Sequence, residues 1–356
     1  MRGLLPLGDV QLDVEMIRSG CGIILTNNSK RICQTAVKSD CISPNSLQNL
    51  IKEFGVVVLR GFDIFTDEQS LLQYYKSRAS YGLMRWNFGM LKKVVPDKET
   101  PGFVNSKESL PIHFDFSNPP SYMGIKQSEH HYEDYVCREF LLYCRTSVKN
   151  EEEDGTRFPK EQKEEAAAPS TGIAEAAATS SKTHAGATTF VDAHGAGQAL
   201  CGIVKQRWKK ILLAYETELA TASTKKVYFG GKGNPFEYPL VLVCPWTGKD
   251  VLRWGQSWTK DDHPHASQYI WVTVKSAARG EAVPELAALE SQIKKAAFDK
   301  RFFFSHDYKE GDQVYVNNYT MLHGRNGFPS NRELWRLQAA PPSANLPAYL
   351  AAKTEI

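Results

Sequence analysis

The chain has 356 residues, of which 42% are hydrophobic and 11% aromatic, ample for a well-buried core in one large or two ordinary domains. Its 43 Lys and Arg residues exceed its 40 Asp and Glu residues by only three, so no strong field favours nucleic acid or a membrane surface as a partner. The apolar run at the N-terminus is too short for a signal peptide, and no stretch approaches the roughly 20 apolar residues of a membrane helix. We therefore expect a cytoplasmic protein with a small-molecule partner.

The first clear elements lie between residues 46 and 79. Apolar residues at helical spacing predict a helix over SLQNLIKEFG (46–55), with Gly55 as its C-cap. The run VVVLRGF that follows predicts a buried strand. The segment TDEQSLLQYYKSRA (66–79) begins with a capping signal and predicts a second helix.

Strand-like runs separated by turn signals dominate the chain from residue 137 onward. Helical patterns interrupt them at residues 199–220 and 284–302. Many strands with a few inserted helices predict a mainly β fold, either a sandwich or a jelly-roll barrel with helices packed outside.

Residues 149–184 do not fit this core, because their large apolar side chains are limited to Phe158 and Ile173. So little apolar surface cannot offset the entropy of ordering, which predicts a low-complexity, disordered insertion at the surface. A tolerated loop is the simplest interpretation, and a regulatory or partner-binding role is the alternative.

A histidine and an aspartate, His113 and Asp115, lie two residues apart in the apolar run LPIHFDF (110–116). On an extended strand both would face the same side. A buried pair satisfied within the core would give this pattern, and so would a non-haem Fe(II) site, which needs a further histidine. His323 directly follows the strand-like run GDQVYVNNYTML and is the candidate, whereas His263 and His265 lie in a polar loop and are expected at the surface.

Five segments carry a family resemblance when they are taken in order. They are EFGVVVLRGF, LPIHFDF, AGATTFVDA, GDQVYVNNYTMLHGRNGF and RELWRLQ, and together they resemble the taurine catabolism dioxygenase-like (TauD/TfdA) family of Fe(II)/2-oxoglutarate-dependent oxygenases. The resemblance spans roughly residues 46–340, apart from the insertion. An HxD pair alone is a weak signal, but HxD followed by LHGR and then by an arginine-bearing strand is specific.

The resemblance implies a fold and a metal site. The fold is a double-stranded β-helix (jelly roll, cupin-like) with flanking helices, formed by a single domain over residues 1–356 with the insertion at 149–184. The Fe(II) ligands are then His113, Asp115 and His323. In this family, O2 and the co-substrate 2-oxoglutarate are converted to succinate and CO2 while a hydrogen atom is removed from an unactivated C–H bond.

The resemblance also implies binding residues for two anions. Arg332 and Thr188 correspond to the family residues that bind the distal carboxylate of 2-oxoglutarate, and Arg336 corresponds to the position that often holds an anionic group of the substrate. The two arginines are four apart on a strand and would share a face. Both could instead be structural ion-pair partners, and Thr188 an ordinary strand threonine. The sequence departs from the family where AGAT lacks an acidic residue before Thr188 and where Asn317 replaces an acidic residue.

The sequence thus predicts an Fe(II)/2-oxoglutarate dioxygenase that acts on a small, carboxylate-bearing, amino-acid-like substrate in specialised metabolism, by hydroxylation, desaturation or oxidative cyclisation. Two alternatives stay open. One is a protein or histone hydroxylase of the same barrel class, in which the charged insertion would contact the partner. The other is a catalytically silent binding protein that keeps the fold.

Overall fold

The computed structural model describes most of the predicted core. The predicted insertion at 149–184 lies outside the described residues. The described ranges are 2–7, 10–18, 20–27, 41–78, 82–83, 91–95, 107–115, 137–147, 185–219, 227–229, 236–244, 247–261, 268–276, 282–328 and 332–340.

Strands outnumber helices among these residues. The helices are α1 Pro44–Phe54, α2 Glu68–Arg78, α3 Ala193–Ala199, α4 Gly202–Trp208 and α5 Leu286–Ala297. The strands are β1 Arg2–Leu7, β2 Val10–Arg18, β3 Cys21–Asn27, β4 Val56–Arg60, β5 Gly82–Leu83, β6 Leu91–Val94, β7 Leu110–His113, β8 Glu139–Thr146, β9 Thr188–Asp192, β10 Leu212–Leu219, β11 Val227–Phe229, β12 Phe236–Pro239, β13 Val241–Val243, β14 Asp250–Leu252, β15 Gln268–Ser276, β16 Phe303–His306, β17 Gln313–Asn317, β18 Met321–Arg325 and β19 Glu333–Ala340.

Two facing sheets form the centre of the molecule. In the larger sheet, β4, β17, β8 and β19 lie side by side, with β1–β3 added at one edge and β5 and β6 pairing with β19. The smaller sheet has the order β16-β9-β18-β7 and is antiparallel throughout. The inner faces of the two sheets pack together through side chains such as Val314 and Phe140 on one side and Phe190 and Phe304 on the other. This arrangement confirms the predicted jelly-roll fold.

The strand β19 shows how the sequence divides side chains between the two faces of the larger sheet. Trp335 and Leu337 pack outward into the cluster that α1 and α2 cover, whereas Leu334 packs inward between the sheets. Because side chains alternate along a strand, Arg336 and Gln338 share the inward face with Leu334. Arg332 precedes β19, and the pairing of β19 with β8 shifts register between Glu333 and Leu334, so the common face of Arg332 and Arg336 stays a prediction.

The helix α1 agrees closely with its prediction. The hydroxyl of Ser43 accepts a hydrogen bond from the N–H of Ser46 at 3.1 Å and caps the first turn. At the other end, the N–H of Gly55 donates to the carbonyl of Ile51 at 3.0 Å with a φ of 73°. That backbone conformation favours glycine and ends the helix directly before β4.

The helix predicted over residues 199–220 is wrong in its second half. The structure places α4 in the first half and the strand β10 in the second. Leu213 and Tyr215, two residues apart, are both fully buried, and β10 pairs with β12 and β15. Pairing with strands distant in sequence therefore outweighs the helical spacing of the apolar residues. No helix among the described residues is long and apolar enough to cross a membrane.

Candidate metal centre

Three potential metal ligands converge between the two sheets. His113 is the last residue of β7, His323 is the central residue of β18, and the two lie opposite each other in the antiparallel register. Asp115 follows His113 by two residues. The ligand atoms of the three side chains all lie within 4.8 Å of one another, and they form the one such cluster found in the described parts of the chain.

The imidazole of His113 is oriented by a backbone group. Its Nδ1 lies 2.8 Å from the carbonyl oxygen of Pro111, and a carbonyl oxygen can only accept, so Nδ1 carries the proton and Nε2 presents a lone pair. Burial, with the neighbouring His323, lowers the pKa of His113 to about 3. The ring is therefore neutral, as a metal ligand must be.

The carboxylate of Asp115 is held by one oxygen and offers the other. Its Oδ2 accepts hydrogen bonds from Nε2 of Gln338 at 2.6 Å and from the guanidinium of Arg336. Its Oδ1 lies 3.5 Å from Nε2 of His323 and 4.0 Å from Nε2 of His113. Burial works to raise the pKa of Asp115, but Arg336 and the two histidines hold it well below its usual range, so the group is ionised.

These facing groups fit a bound cation. The Nε2 lone pair of His113 and Oδ1 of Asp115 are both acceptors, and two acceptors that face each other in a buried space repel unless a proton or a metal ion lies between them. Two imidazole nitrogens and one carboxylate oxygen form the donor set of non-haem Fe(II) oxygenases. The residues present could therefore hold Fe(II) through His113, Asp115 and His323.

A second buried cluster surrounds Arg332, which directly precedes β19. Its guanidinium donates to the carbonyl oxygen of Gly186 and lies 4.8 Å from the ring of Phe328 and 5.8 Å from that of Tyr308. The hydroxyls of Tyr308 and Thr188 are 2.8 Å apart. The two residues predicted to bind 2-oxoglutarate are therefore gathered around one tyrosine.

The environment of Arg332 fits an anionic ligand. The side chain is 2% exposed, its Nε has no hydrogen-bond partner, and no carboxylate forms an ion pair with it in the described part of the chain. Burial lowers the pKa of Arg332, which reflects the cost of placing a cation there. A guanidinium pairs well with a carboxylate through two parallel hydrogen bonds, so a dicarboxylate such as 2-oxoglutarate would offset this cost.

Sequence reasoning missed several residues that shape the site. Gln338 and Tyr308 gave no motif signal, although Gln338 could be found from its position two residues after Arg336 on the same face of β19. Asn318 gave no signal of its own beside Asn317. Its side chain hydrogen-bonds to both the N–H and the carbonyl group of Asp115. Arg336, predicted to contact the substrate, lies in the structure against Asp115.

Comparisons with known proteins found a matching family model and several similar proteins. Residues 172–338 match the model of the family described as taurine catabolism dioxygenase TauD, TfdA family. The chain is 23% identical over 292 residues to 3-((Z)-2-isocyanoethenyl)-1H-indole synthase of Fischerella ambigua, a match that covers 82% of this chain and 84% of the relative. It is 24% identical over 311 residues to tyrosine isonitrile desaturase of Erwinia amylovora, covering 85% and 84% of the two chains.

The fold is similar to that of a solved bacterial protein. The crystal structure of PvcB from Pseudomonas aeruginosa aligns with a TM-score of 0.60 at 17% identity, covering 96% of this chain and 98% of PvcB. A second structure describes PvcB as an Fe, alpha-ketoglutarate dependent oxygenase from an isonitrile synthetic pathway, with a TM-score of 0.59 at 17% identity and the same coverage.

The fold and the site together define an Fe(II)- and 2-oxoglutarate-dependent dioxygenase, a class that acts on small molecules. The prediction of this enzyme class and of its cofactors, Fe(II) and 2-oxoglutarate, is confirmed. The predicted resemblance to the TauD/TfdA family is confirmed by the match of the family model to residues 172–338.

Proposed function

We propose that this enzyme desaturates a small amino-acid-derived isonitrile, forming a carbon–carbon double bond close to the isocyano group. The observation that carries the oxidation is the convergence of two imidazoles and one carboxylate within 4.8 Å. The substrate class is supported by the printed names of the relatives, which describe an isonitrile desaturase and a synthase of an isocyanoethenyl compound.

The proposed reaction balances with the cofactors of the class. The substrate loses two hydrogen atoms and two electrons, 2-oxoglutarate loses CO2, and O2 accepts the electrons. One oxygen atom enters succinate and the other leaves as water together with the two hydrogen atoms. Iron, when bound, supplies the activation of O2 that makes this transfer possible.

In this proposal the residues have separate tasks. His113, Asp115 and His323 hold Fe(II), and Arg332 with Thr188 binds the distal carboxylate of 2-oxoglutarate. The sheets around the site exclude water, which strengthens these charge-assisted contacts. A lysine in place of Arg332 could not present the same planar pair of donors.

We also propose that residues 1–356 form a single catalytic domain. The larger sheet supports this, because it joins β1 near the N-terminus with β19 near the C-terminus in one hydrogen-bonded array. An N-terminal domain that folded separately would not share strands with the sheet that carries Arg332 and Arg336.

The metal assignment is tested by equilibrium titration under anaerobic conditions. Fe(II) added with 2-oxoglutarate should give the visible charge-transfer absorption of the chelate in the wild-type protein. The variant His194→Gln should give the same absorption, because His194 lies on α3 and is not part of the metal cluster. The same titration should fail with His113→Gln. Equal affinity in the two variants would contradict the assignment.

The substrate is tested separately under air. Tyrosine isonitrile should stimulate succinate formation and yield a product lighter by two hydrogen atoms, as measured by liquid chromatography and mass spectrometry. Free tyrosine, which lacks the isocyano group, is the matched control. If neither compound raises succinate above the uncoupled level while iron and 2-oxoglutarate still bind, the oxygenase class stands and the isonitrile proposal is wrong.

A further inference from the structure

The short strand β6 brings two neighbouring lysines to opposite faces of the larger sheet. In the antiparallel pairing of β6 with β19, Lys92 lies opposite Arg336 and Lys93 lies opposite Trp335. Directly opposed residues of an antiparallel pair point to the same face. The register therefore assigns Lys92 to the inward face with Arg336, and Lys93 to the outward face with Trp335.

The contacts of Lys93 support this division. Its ammonium lies 2.6 Å from the carboxylate of Glu68 on α2, which covers the outer face, and 6.0 Å from the ring of Trp335. The side chain of Lys93 is 48% exposed. Lys93 is thus a surface residue outside the site, and it provides a control for its neighbour.

Lys92 lies in the electrostatic field of the metal centre. Burial has the largest effect on the pKa of Lys92 and lowers it to about 8. The guanidinium of Arg336 lowers this pKa further, and the carboxylate of Asp115 works to raise it. Arg336 is itself turned toward Asp115, and its Nε is buried without a hydrogen-bond partner. Two adjacent cations on neighbouring strands repel each other, and an anion bound between them would relieve that repulsion.

We infer that Lys92, together with Nε of Arg336, forms the subsite that binds the carboxylate of the substrate. The subsite adjoins the metal centre because Arg336 contacts Asp115, so a carboxylate held there would bring the carbon atoms next to it toward the bound iron. The inference takes the isonitrile group of the substrate from the proposed function. The negative charge of the substrate is inferred independently, from Lys92 and Arg336. A lysine offers a mobile point charge that suits this second contact, while Arg336 stays fixed against Asp115.

The experiment compares acid and amide forms of the same compound. Tyrosine isonitrile, tyrosine, N-formyltyrosine and 4-hydroxyphenylpropanoate, each as the acid and as its carboxamide, are titrated anaerobically into the protein loaded with Fe(II) and 2-oxoglutarate. Binding is followed by the change in visible absorption of the chelate. The variants are Lys92→Met, which keeps the length of the side chain without its charge, and the matched control Lys93→Met.

Lys92→Met should weaken the binding of the acid by about tenfold to a hundredfold, the effect of losing one charge-assisted hydrogen bond. It should leave the amide nearly unchanged, and Lys93→Met should affect neither form. The visible absorption of the chelate of Fe(II) with 2-oxoglutarate should appear in both variants before any substrate is added, which shows that the metal centre is intact. Lys92→Arg should restore most of the preference for the acid.

The outcomes separate the two proposals. If tyrosine isonitrile does not bind but another acid does so in a way that depends on Lys92, the isonitrile proposal fails and the subsite stands. If Lys92→Met weakens the binding of the acid and of the amide equally, the subsite assignment is wrong. It is also wrong if Lys93→Met weakens the binding of the acid as much as Lys92→Met does. It is also wrong if the wild-type protein prefers no acid of the series over its amide.

Discussion

The side-chain amide of Asn318 holds both polar main-chain groups of Asp115. Its Oδ1 accepts from the N–H of Asp115 at 2.8 Å, and its Nδ2 donates to the carbonyl of Asp115 at 3.1 Å and to that of Cys137 at 2.7 Å. Asn318 lies in the turn between β17 and β18 and is fully buried. Because β18 carries His323, one amide links the positions of two of the proposed iron ligands.

Replacing Asn318 by leucine should weaken metal binding by about 10- to 100-fold, as is typical when a group that orients a ligand is lost. Stability should fall by about 1–3 kcal/mol because three buried hydrogen bonds are removed. The control is Gln48→Leu, which also removes a buried amide, one that donates to Glu139 at 2.6 Å. Titration with Mn(II) should show a loss of affinity for Asn318→Leu only, and an equal loss in both variants would show a general effect of lower stability.

The role of Arg332 can be separated from folding. Arg332→Met removes a buried cation that has no carboxylate partner among the described residues, so the free energy of unfolding without ligands should change by no more than about 1 kcal/mol. The additional rise in melting temperature that 2-oxoglutarate gives in the presence of Mn(II) should disappear, and Arg332→Lys should recover little of it. A variant that still responds to 2-oxoglutarate like the wild type would contradict the assignment.

Arg60 provides the opposite case for comparison. Its guanidinium forms two hydrogen bonds with the buried carboxylate of Asp312, at 2.8 and 2.7 Å. Arg60→Met should therefore lower stability, on the order of 2 kcal/mol, because it leaves that carboxylate without its cation. The response to 2-oxoglutarate should remain, since Arg60 lies outside the cluster around Arg332.

A buried acid on β8 should make stability depend on pH. Burial raises the pKa of Glu139 to about 7, only partly opposed by the hydrogen bond from Gln48, whereas its ordinary value is 4.5. A carboxyl group with a raised pKa binds its proton more tightly in the folded state. Its contribution is therefore present below about pH 4.5 and is lost as the pH rises through about 7.

Urea unfolding at about pH 5 and about pH 8 checks this expectation, with Glu139→Gln as the reference because the glutamine does not titrate. The wild type should lose stability relative to the variant between the two pH values, on the order of 2–3 kcal/mol. The comparison cancels the titration of all other groups. A constant difference between the two proteins would mean that Glu139 is ionised in the folded state across this range.

Much of the site was predictable because its signals are local. The spacing of His113 and Asp115 would place them on one face of an extended segment, and Gly55 ends its helix through its own backbone freedom. The noted departure at Asn317 also has a local explanation. Its Oδ1 accepts from the N–H groups of Tyr319 and Thr320 at 3.0 and 3.2 Å, and an amide oxygen can accept these bonds as a carboxylate would.

The parts of the site that the sequence did not predict depend on which strands pair and in which register they pair. The contact of Arg336 with Asp115 joins residues 221 positions apart, and that of Asn318 with Asp115 joins residues 203 apart. The face of Lys92 follows from the register of β6 against β19. No periodicity within a segment encodes such relationships, because a shift of one residue between strands would reverse every face.

The close approach of β18 to β7 requires a glycine beside His323. A Cβ atom on Gly324 would lie 2.8 Å from the carbonyl oxygen of Leu110 and 2.9 Å from Oγ1 of Thr189. Gly324→Ala should therefore push β18 away from β7 and separate His323 from His113. We expect metal affinity to fall by at least about tenfold and stability by about 1–3 kcal/mol.

Gly327→Ala is the matched control, since it lies three residues further along and makes the same chemical change. Its Cβ atom would lie 3.3 Å from the carbonyl oxygen of Lys107, which a small local movement can accommodate. Mn(II) titration and thermal unfolding of the two variants should show a large effect for Gly324→Ala and a small one for Gly327→Ala. Unchanged metal affinity in Gly324→Ala would mean that the spacing of β7 and β18 does not set the distance between the two histidines.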